Sequence, residues 1–153
     1  MDESVPEIWI ELGEKNKKKY LMCLFYREFS EWGQRTSTDS IQCQLQRFQH
    51  WTSKVVIQLE KNKELWLLGD FNFDLSRKND STYSRKNIAK LAHEEIIGCG
   101  MVQIIEGPTH RFLGKTSTID LIFTNAPRKI SRVGTISTGS EHVFVWREKL
   151  IML

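Results

Sequence analysis

The sequence of 153 residues has few of the features that mark membrane, disulfide-bonded or disordered proteins. It contains only three cysteines and three prolines, and the cysteines show no spacing typical of a metal site. None of its apolar runs approaches the roughly 20 residues that a membrane-spanning helix needs. With 40% hydrophobic and 27% charged residues, the composition argues against wholesale disorder and indicates a globular piece.

The sequence also lacks a strong excess of charge of one sign, because the formal net charge is only +3. A mildly basic chain is compatible with nucleic-acid binding but does not by itself indicate it. Cys23 and Cys43 lie in apolar-patterned segments, which predicts buried, reduced thiols in an intracellular protein, nuclear or cytoplasmic. A lysine-rich stretch at residues 15–19 is typical of a solvated hairpin loop.

Hydrophobic patterning predicts an α/β fold. Strands are predicted over residues 7–12, 20–26 and 65–70, and the second is continuously apolar. Between the last two, after an irregular segment, apolar residues from Ile41 to Leu59 recur at three- and four-residue steps, predicting an amphipathic helix. A second helix is predicted after Ser84, which can cap it, and ends at Gly98. Strands over residues 101–105, 119–124, 130–135 and 142–146 would complete the sheet, with a mobile loop around Gly114.

The most informative motif is Gly69-Asp70-Phe71-Asn72, which follows the apolar run of the third predicted strand. Asp70 and Asn72 are two residues apart, so on an extended backbone their side chains point to the same side. A carboxylate and a carboxamide together can hold a water, a metal or a phosphate oxygen. The alternative is an Asx-turn, in which both side chains bond to the local backbone.

Two later segments support a site near this motif. Asp120 is embedded in the apolar segment Ser117 to Phe123, and an aspartate inside a strand needs a partner if it is buried. His142 directly precedes a later apolar strand and is a natural partner. The pair would then lie at strand ends, where α/β folds place their clefts. A purely structural buried hydrogen bond between Asp120 and His142 remains the alternative.

In order along the chain, these motifs resemble the endonuclease/exonuclease/phosphatase superfamily, and most closely the apurinic-like endonuclease domain of non-LTR retrotransposons. The likeness covers most of the chain. It implies a partial four-layer α/β sandwich of the DNase I type, with residues 1–153 as a single partial domain whose N-terminal half is absent. It rests on Gly69-Asp70-Phe71-Asn72, Ser117-Thr118-Ile119-Asp120, Ser140-Glu141-His142, Tyr26-Arg27-Glu28-Phe29-Ser30 and the stretch 119–125.

The resemblance also implies roles for four of these residues. Asp70 would orient or deprotonate an attacking water, and Asn72 would hold the scissile phosphate or that water. Asp120 would fix the imidazole of His142, which would contact a phosphoryl oxygen or stabilise developing charge. These roles agree with the needs of phosphodiester hydrolysis, namely an activated water and neutralisation of charge on phosphorus.

Three further positions follow from the same likeness. Glu141 falls where the family usually has aspartate, and with Asp70 it would bind the metal. Tyr26 falls near the family's active-site tyrosine, and Thr109 near a substrate-contacting position. The expected metal is Mg²⁺ or Mn²⁺, since carboxylates and amides are hard oxygen ligands. The expected partner is DNA as a phosphodiester substrate.

Three functions are open at this point. The first is a metal-dependent endonuclease of retrotransposon origin that nicks DNA. The second is a catalytically inactive remnant that at most binds nucleic acid or protein, since the resemblance places the principal metal-binding glutamate in the absent half. The third is hydrolysis of a small phosphoester such as an inositol phosphate. The missing half, or a reverse transcriptase region, would be a partner, and an uncovered sheet face would make the isolated chain poorly soluble or oligomeric.

Overall fold

The computed structural model describes residues 6–13, 20–27, 38–61, 64–137 and 139–149. The lysine-rich stretch at 15–19 and residues 28–37, which form most of the predicted irregular segment, lie outside the described residues. In the described part of the chain, no helix has both the length and the apolar character needed to cross a bilayer.

The structure contains both strands and helices, with the long helix between two strands as the patterning predicted. The first half contains β1 (Glu7–Leu12), β2 (Tyr20–Tyr26), the long helix α1 (Thr38–Glu60) and β3 (Glu64–Asp70). A 3₁₀ turn (Leu75–Arg77) leads to α2 (Lys86–Ala92), which continues as a π-helical turn (His93–Ile97). The rest of the chain holds β4 (Val102–Gln103), β5 (His110–Phe112), β6 (Lys115–Ser117), β7 (Asp120–Thr124), a second 3₁₀ turn (Pro127–Lys129), β8 (Ile130–Ser137) and β9 (Val143–Lys149).

Five of these strands form one mixed sheet in the order β1-β2-β3-β7-β4. β1 and β2 are antiparallel, while β2 and β3 run parallel because α1 connects them as a crossover. β7 is antiparallel to β3 and brings the start of β7 beside the end of β3. This arrangement confirms the α/β fold class and gathers several strand ends at one edge.

One face of the sheet packs against the helices through an aromatic core. Alternate β2 residues, Leu21, Cys23 and Phe25, point to this face because side chains alternate along a strand. The rings of Phe25 and Trp51 of α1 lie 4.1 Å apart between centroids. Fully buried aromatic rings contribute much of the apolar area removed from water, so this face holds most of the core. The cluster also includes Phe48, Phe71, Phe73, Phe123, Val55, Leu65 and Leu67.

The opposite face of the sheet carries a smaller cluster. Trp66, Ile105 and Ile122 are buried there, and Ile130 and Val133 of β8 pack against them. Farther along this face, Ile8 is 60% exposed and Leu24 is 39% exposed. The described residues therefore form a helical layer, a central sheet and a hairpin that covers part of the second face. The expectation of poor solubility stays a prediction.

Two predictions about the later strands were wrong. Strands β8 and β9 do not join the central sheet but pair with each other as a separate antiparallel sheet. The segment around Gly114 is not a mobile loop but the turn of the β5–β6 hairpin. Leu113 and Gly114 have φ values of 46° and 75°, the left-handed pair that a tight two-residue hairpin turn requires.

Two local details also differ from prediction. The second helix begins after Arg85, which makes no side-chain capping hydrogen bond, so the proposed cap by Ser84 is wrong. The cysteines are free, but only Cys23 is buried, whereas Cys43 is half-buried and Cys99 is exposed. Burial raises the pKa of the Cys23 thiol to about 12, which suits an inert core residue.

Candidate functional site

Three neighbouring strands place polar side chains at one level of the central sheet. In the strand register, Tyr26 of β2 lies beside Asp70 of β3, and Asp70 lies opposite Asp120 of β7. Neighbouring strands are about 4.8 Å apart, so the two carboxylates are close by construction. The Phe71 amide donates to the Ile119 carbonyl at 2.9 Å, which continues the β3–β7 pairing beyond Asp70.

The structure brings Asp120 and His142 together, as the motif order predicted. His142 Nδ1 lies 3.1 Å from Asp120 Oδ2 and 3.3 Å from Oδ1. The side chains of His142 and Asp120 are 46% and 22% exposed. The purely structural alternative supposed a buried hydrogen bond, and this pair instead lies at an accessible edge of the sheet. The catalytic role of the pair stays a prediction.

Asp70 makes a local hydrogen bond and also faces a second carboxylate. Its Oδ1 accepts the Asn72 amide at 2.9 Å, which is the Asx-turn proposed as the alternative for this motif. Burial raises the pKa of Asp70, and the nearby Asp120 carboxylate raises it further. The Asn72 amide and the imidazoles of His142 and His110 act in the opposite direction.

Asp70, Asp120 and His142 form a candidate metal-ligating group. One ligand atom from each of these residues lies within 4.8 Å of the others, in a search limited to the described residues. Glu141 does not belong to this group, and its predicted role as a metal ligand together with Asp70 stays a prediction. Glu141 lies in the bend before β9 with its side chain 59% exposed, and its Oε2 is 3.8 Å from His110 Nε2.

The position of Asn72 differs from the expectation of a continuous strand. The backbone leaves the extended conformation after Asp70, and Asn72 has φ of 51°, in the left-handed region. The prediction that Asp70 and Asn72 share one side of an extended strand is therefore wrong. The Asn72 Nδ2 donates to the Arg27 carbonyl at 2.7 Å, so one of its two amide hydrogens is bound within the protein.

Thr109 also needs correction, because it is completely buried and cannot contact a substrate in this conformation. Its Oγ1 accepts the amides of Ile119 at 3.0 Å and Asp120 at 2.9 Å. Its carbonyl accepts the Val143 amide at 2.8 Å. Thr109 therefore joins the two segments that carry Asp120 and His142, and it stabilises the site from a buried position.

Tyr26 lies at the end of β2 with half of its surface exposed. Its register position beside Asp70 puts it at the same edge as the acidic residues. A role for its hydroxyl in contacting a substrate stays a prediction.

Two residues at the site were not singled out by the sequence. His110 is bridged to His142 in the backbone, and the two imidazole centroids are 4.8 Å apart. Arg27 is only 6% exposed and donates to the carbonyls of Phe71 and Asn72. The only sequence signal for either was its position, His110 directly after Thr109 and Arg27 directly after Tyr26.

A cleft of about 670 Å³ opens beside these residues. Asn72, His110, Glu141 and His142 line one part of it. Arg77, Arg85 and Lys115 add basic groups to the remaining wall, and Asp74 adds a carboxylate. Tyr83 and Phe112 also line it, but of these two rings only that of Phe112 is exposed. Basic groups and an exposed ring beside convergent acids are typical of a site for a phosphate-bearing ligand.

Comparison with known structures identifies nucleases and a phosphatase of the same fold. A 3'-5' exonuclease, NExo from Neisseria meningitidis, matches with a TM-score of 0.63 and 16% identity over 85% of this chain. The endonuclease domain of TRAS1, a telomere-specific non-LTR retrotransposon, matches with a TM-score of 0.59 and 15% identity over 94% of this chain. A structure of the Neisseria enzyme, described as a 3' phosphatase and bound to a product DNA hairpin, gives 0.60 and 16% over 85%.

These likenesses confirm the predicted DNase I-like fold, which the endonuclease/exonuclease/phosphatase superfamily shares. The chain spans 61% of the length of each Neisseria structure and 62% of the TRAS1 domain. No protein-family model matches the chain, and no curated protein matches its sequence.

Proposed function

We propose that this chain is a metal-dependent nuclease of retrotransposon origin that hydrolyses phosphodiester bonds within DNA. The observation that carries the proposal is the convergence of Asp70, Asp120 and His142 at one edge of the sheet, within 4.8 Å of one another. The fold shared with an exonuclease and with a retrotransposon endonuclease domain supports the same reaction class.

The donor set fits a hard divalent cation. Two carboxylates lie side by side, and the raised pKa of Asp70 reflects burial together with repulsion from Asp120. A cation between them would relieve both costs, and Mg²⁺ or Mn²⁺ prefers such oxygen ligands. Asp70 and Asp120 would hold the ion, and when bound it would polarise a phosphoryl oxygen and acidify a coordinated water.

The remaining chemistry comes from the chain's own side chains. Asp70 would orient the attacking water and accept its proton. The contact of Asp120 with Nδ1 fixes the orientation of the His142 ring, which would donate to a phosphoryl oxygen as negative charge develops. Asn72 lines the cleft and would contact the scissile phosphate, while Tyr26 would contact the substrate from the neighbouring strand end.

The cleft favours a nucleic acid over a small phosphoester. Its basic groups can attract a phosphate backbone beyond the single reacting phosphate, and the ring of Phe112 is exposed to stack on a base. Phe112 is 51% exposed. An inositol phosphate would use the site residues but would leave this wider wall without a function.

The test is nicking of supercoiled plasmid by purified protein with Mg²⁺ or Mn²⁺ and with EDTA. We expect conversion to open circles that requires the metal and falls about 10³-fold in Asp70→Asn, as removal of a general base commonly does. Glu94→Gln, which removes an exposed acid from the helical layer, serves as the matched control and should nick normally. Soluble, folded wild-type protein that does not nick with either metal would contradict the proposal and support the inactive remnant.

A further inference from the structure

We propose that Arg27 is a positioning residue of this site, because its guanidinium holds the turn that carries Asp70 and Asn72. The inference rests on the proposed function, since it explains how the same site is kept in shape. Arg27 would not touch the substrate. It would act through the main chain of residues 71 and 72.

The guanidinium is buried and divides its donors between two parts of the fold. Nε donates to the Phe71 carbonyl at 2.8 Å, and Nη2 donates to the Asn72 carbonyl at 2.9 Å. Nη1 donates to Gln44 Oε1 of α1 at 3.0 Å. The planar group therefore fixes two successive carbonyls of the turn with respect to the long helix.

The main chain of Arg27 also bonds to both sides of the turn. The Arg27 amide donates to the Asp70 carbonyl at 2.9 Å, and the Asn72 carboxamide donates to the Arg27 carbonyl at 2.7 Å. The contact between β2 and β3 thus continues past the strand ends, with residue 27 donating one hydrogen bond and accepting the other. A displacement of Arg27 would therefore also displace Asp70 and Asn72, the residues on either side of Phe71.

The turn needs such support because its geometry is unfavourable for an ordinary chain. Asn72 has a left-handed backbone, which is unfavourable for a residue with a side chain, and Phe71 is completely buried, so its carbonyl needs a donor inside the protein. The rigid fork of arginine can serve the carbonyls of both residues at once, whereas the single ammonium of lysine cannot reproduce that geometry. Burial, with Arg85 nearby, lowers the pKa of Arg27 to about 10, so the group remains a cation near Asp70 at neutral pH.

The test compares Arg27→Lys with wild type in nicking kinetics and amide hydrogen exchange. We expect kcat to fall about 10- to 100-fold with KM changed less than about twofold, because small misplacement of reacting groups reduces rate more than binding. Exchange of the Asn72 amide should accelerate, while amides inside β3 keep their protection. Free guanidinium at non-denaturing concentration should restore part of the activity lost in Arg27→Ala.

Two controls separate positioning from general stability. Val55→Ala opens a cavity in the helical face of the core and should lower Tm while leaving kcat unchanged. Arg128→Lys changes an exposed arginine beyond the opposite end of β7 and should change neither quantity. If Arg27→Lys fails to fold, Gln44→Ala removes only the helix anchor and should lower kcat about two- to fivefold.

The proposal is overturned if Arg27→Lys keeps wild-type kcat and Asn72 exchange, or if Val55→Ala at equal Tm shows the same loss. Failure of the proposed function would look different, because the wild type itself would then not nick. In that case hydrogen exchange still decides. Selective acceleration at Asn72 supports the positioning role, and unchanged or uniformly faster exchange refutes it.

Discussion

Strand β3 carries a carboxylate at each end, and the charged neighbours of the two carboxylates differ. Glu64 at its start is 5% exposed, accepts the Trp66 indole N–H at 3.2 Å and forms an ion pair with Lys129. Asp70 at its end lies opposite a second carboxylate, Asp120. Glu64 is thus compensated by a cation and a donor. Asp70 accepts the Asn72 amide, but it is also placed beside like charge, which is a cost that a functional site can explain.

The surroundings of the two ends differ in the same sense. At the start, the Leu65 amide donates to Asn125 Oδ1 at 2.9 Å, so a side chain of the protein satisfies this backbone donor. At the other end, Asp70 faces a shallow hollow of about 250 Å³, lined by Leu68, Gly69, Asp120, Leu121, Ile122 and Val143. Charge at the first end of β3 therefore serves stability, whereas at the second end stability comes from backbone contacts.

The largest effect expected at the site end concerns the backbone alone. A Cβ on Gly69, whose φ is 154°, would lie 1.7 Å from the Phe25 carbonyl oxygen. Gly69→Ala should therefore lower the free energy of unfolding by about 3 kcal/mol or more, measured by urea denaturation. Gly107→Ala is the matched control, since Gly107 has positive φ but no atom within 4 Å of the added methyl, and should cost about 1 kcal/mol. Equal losses in the two variants would contradict this account of Gly69.

Much of the central sheet could be predicted because its signals are local. The apolar run of β2 and the three- and four-residue steps of α1 gave both elements within a few residues. The β5–β6 hairpin was missed because His110–Phe112 and Lys115–Ser117 show no apolar alternation, and their pairing depends on a turn with two left-handed residues. β8 was predicted as a strand, but its sheet is decided by packing on Trp66 and Ile122.

The site residues also differ in whether their roles depend on local or on distant sequence signals. Asp120 and His142 could be paired from motif order, because both stand at strand ends. Thr109 could not be assigned correctly, since its buried hydroxyl accepts hydrogen bonds from amides of residues ten and eleven positions away. Arg27 looked like an ordinary polar residue after a strand, and its importance arises only from carbonyls more than forty residues distant.

An effect of intermediate size is expected at Glu64, the compensated carboxylate at the start of β3. Glu64→Gln removes the ion pair with Lys129 but keeps an oxygen for the Trp66 indole. Because the Lys129 side chain is 32% exposed and can turn to water, the unfolding free energy should fall by only about 1–2 kcal/mol. Thermal and urea unfolding would measure this, with nicking per folded molecule unchanged. A loss of nicking without a loss of stability would break the proposed division between the two ends.

The smallest effect, and the one that tests the division most directly, is the pH dependence caused by Asp70. Its folded-state pKa is raised, so in the range from the unfolded value of about 4 up to that raised value the folded state binds more protons. Ionisation therefore removes stability as pH rises through this range, and the cost stays constant above it. Asp70→Asn cannot ionise, so its stability relative to wild type should rise across the same range in metal-free buffer. At pH 7 the variant should be at least as stable as wild type, and Mn²⁺ should stabilise wild type but not the variant. A variant that is clearly less stable at pH 7 would mean that the Asp70 carboxylate, like that of Glu64, serves the fold.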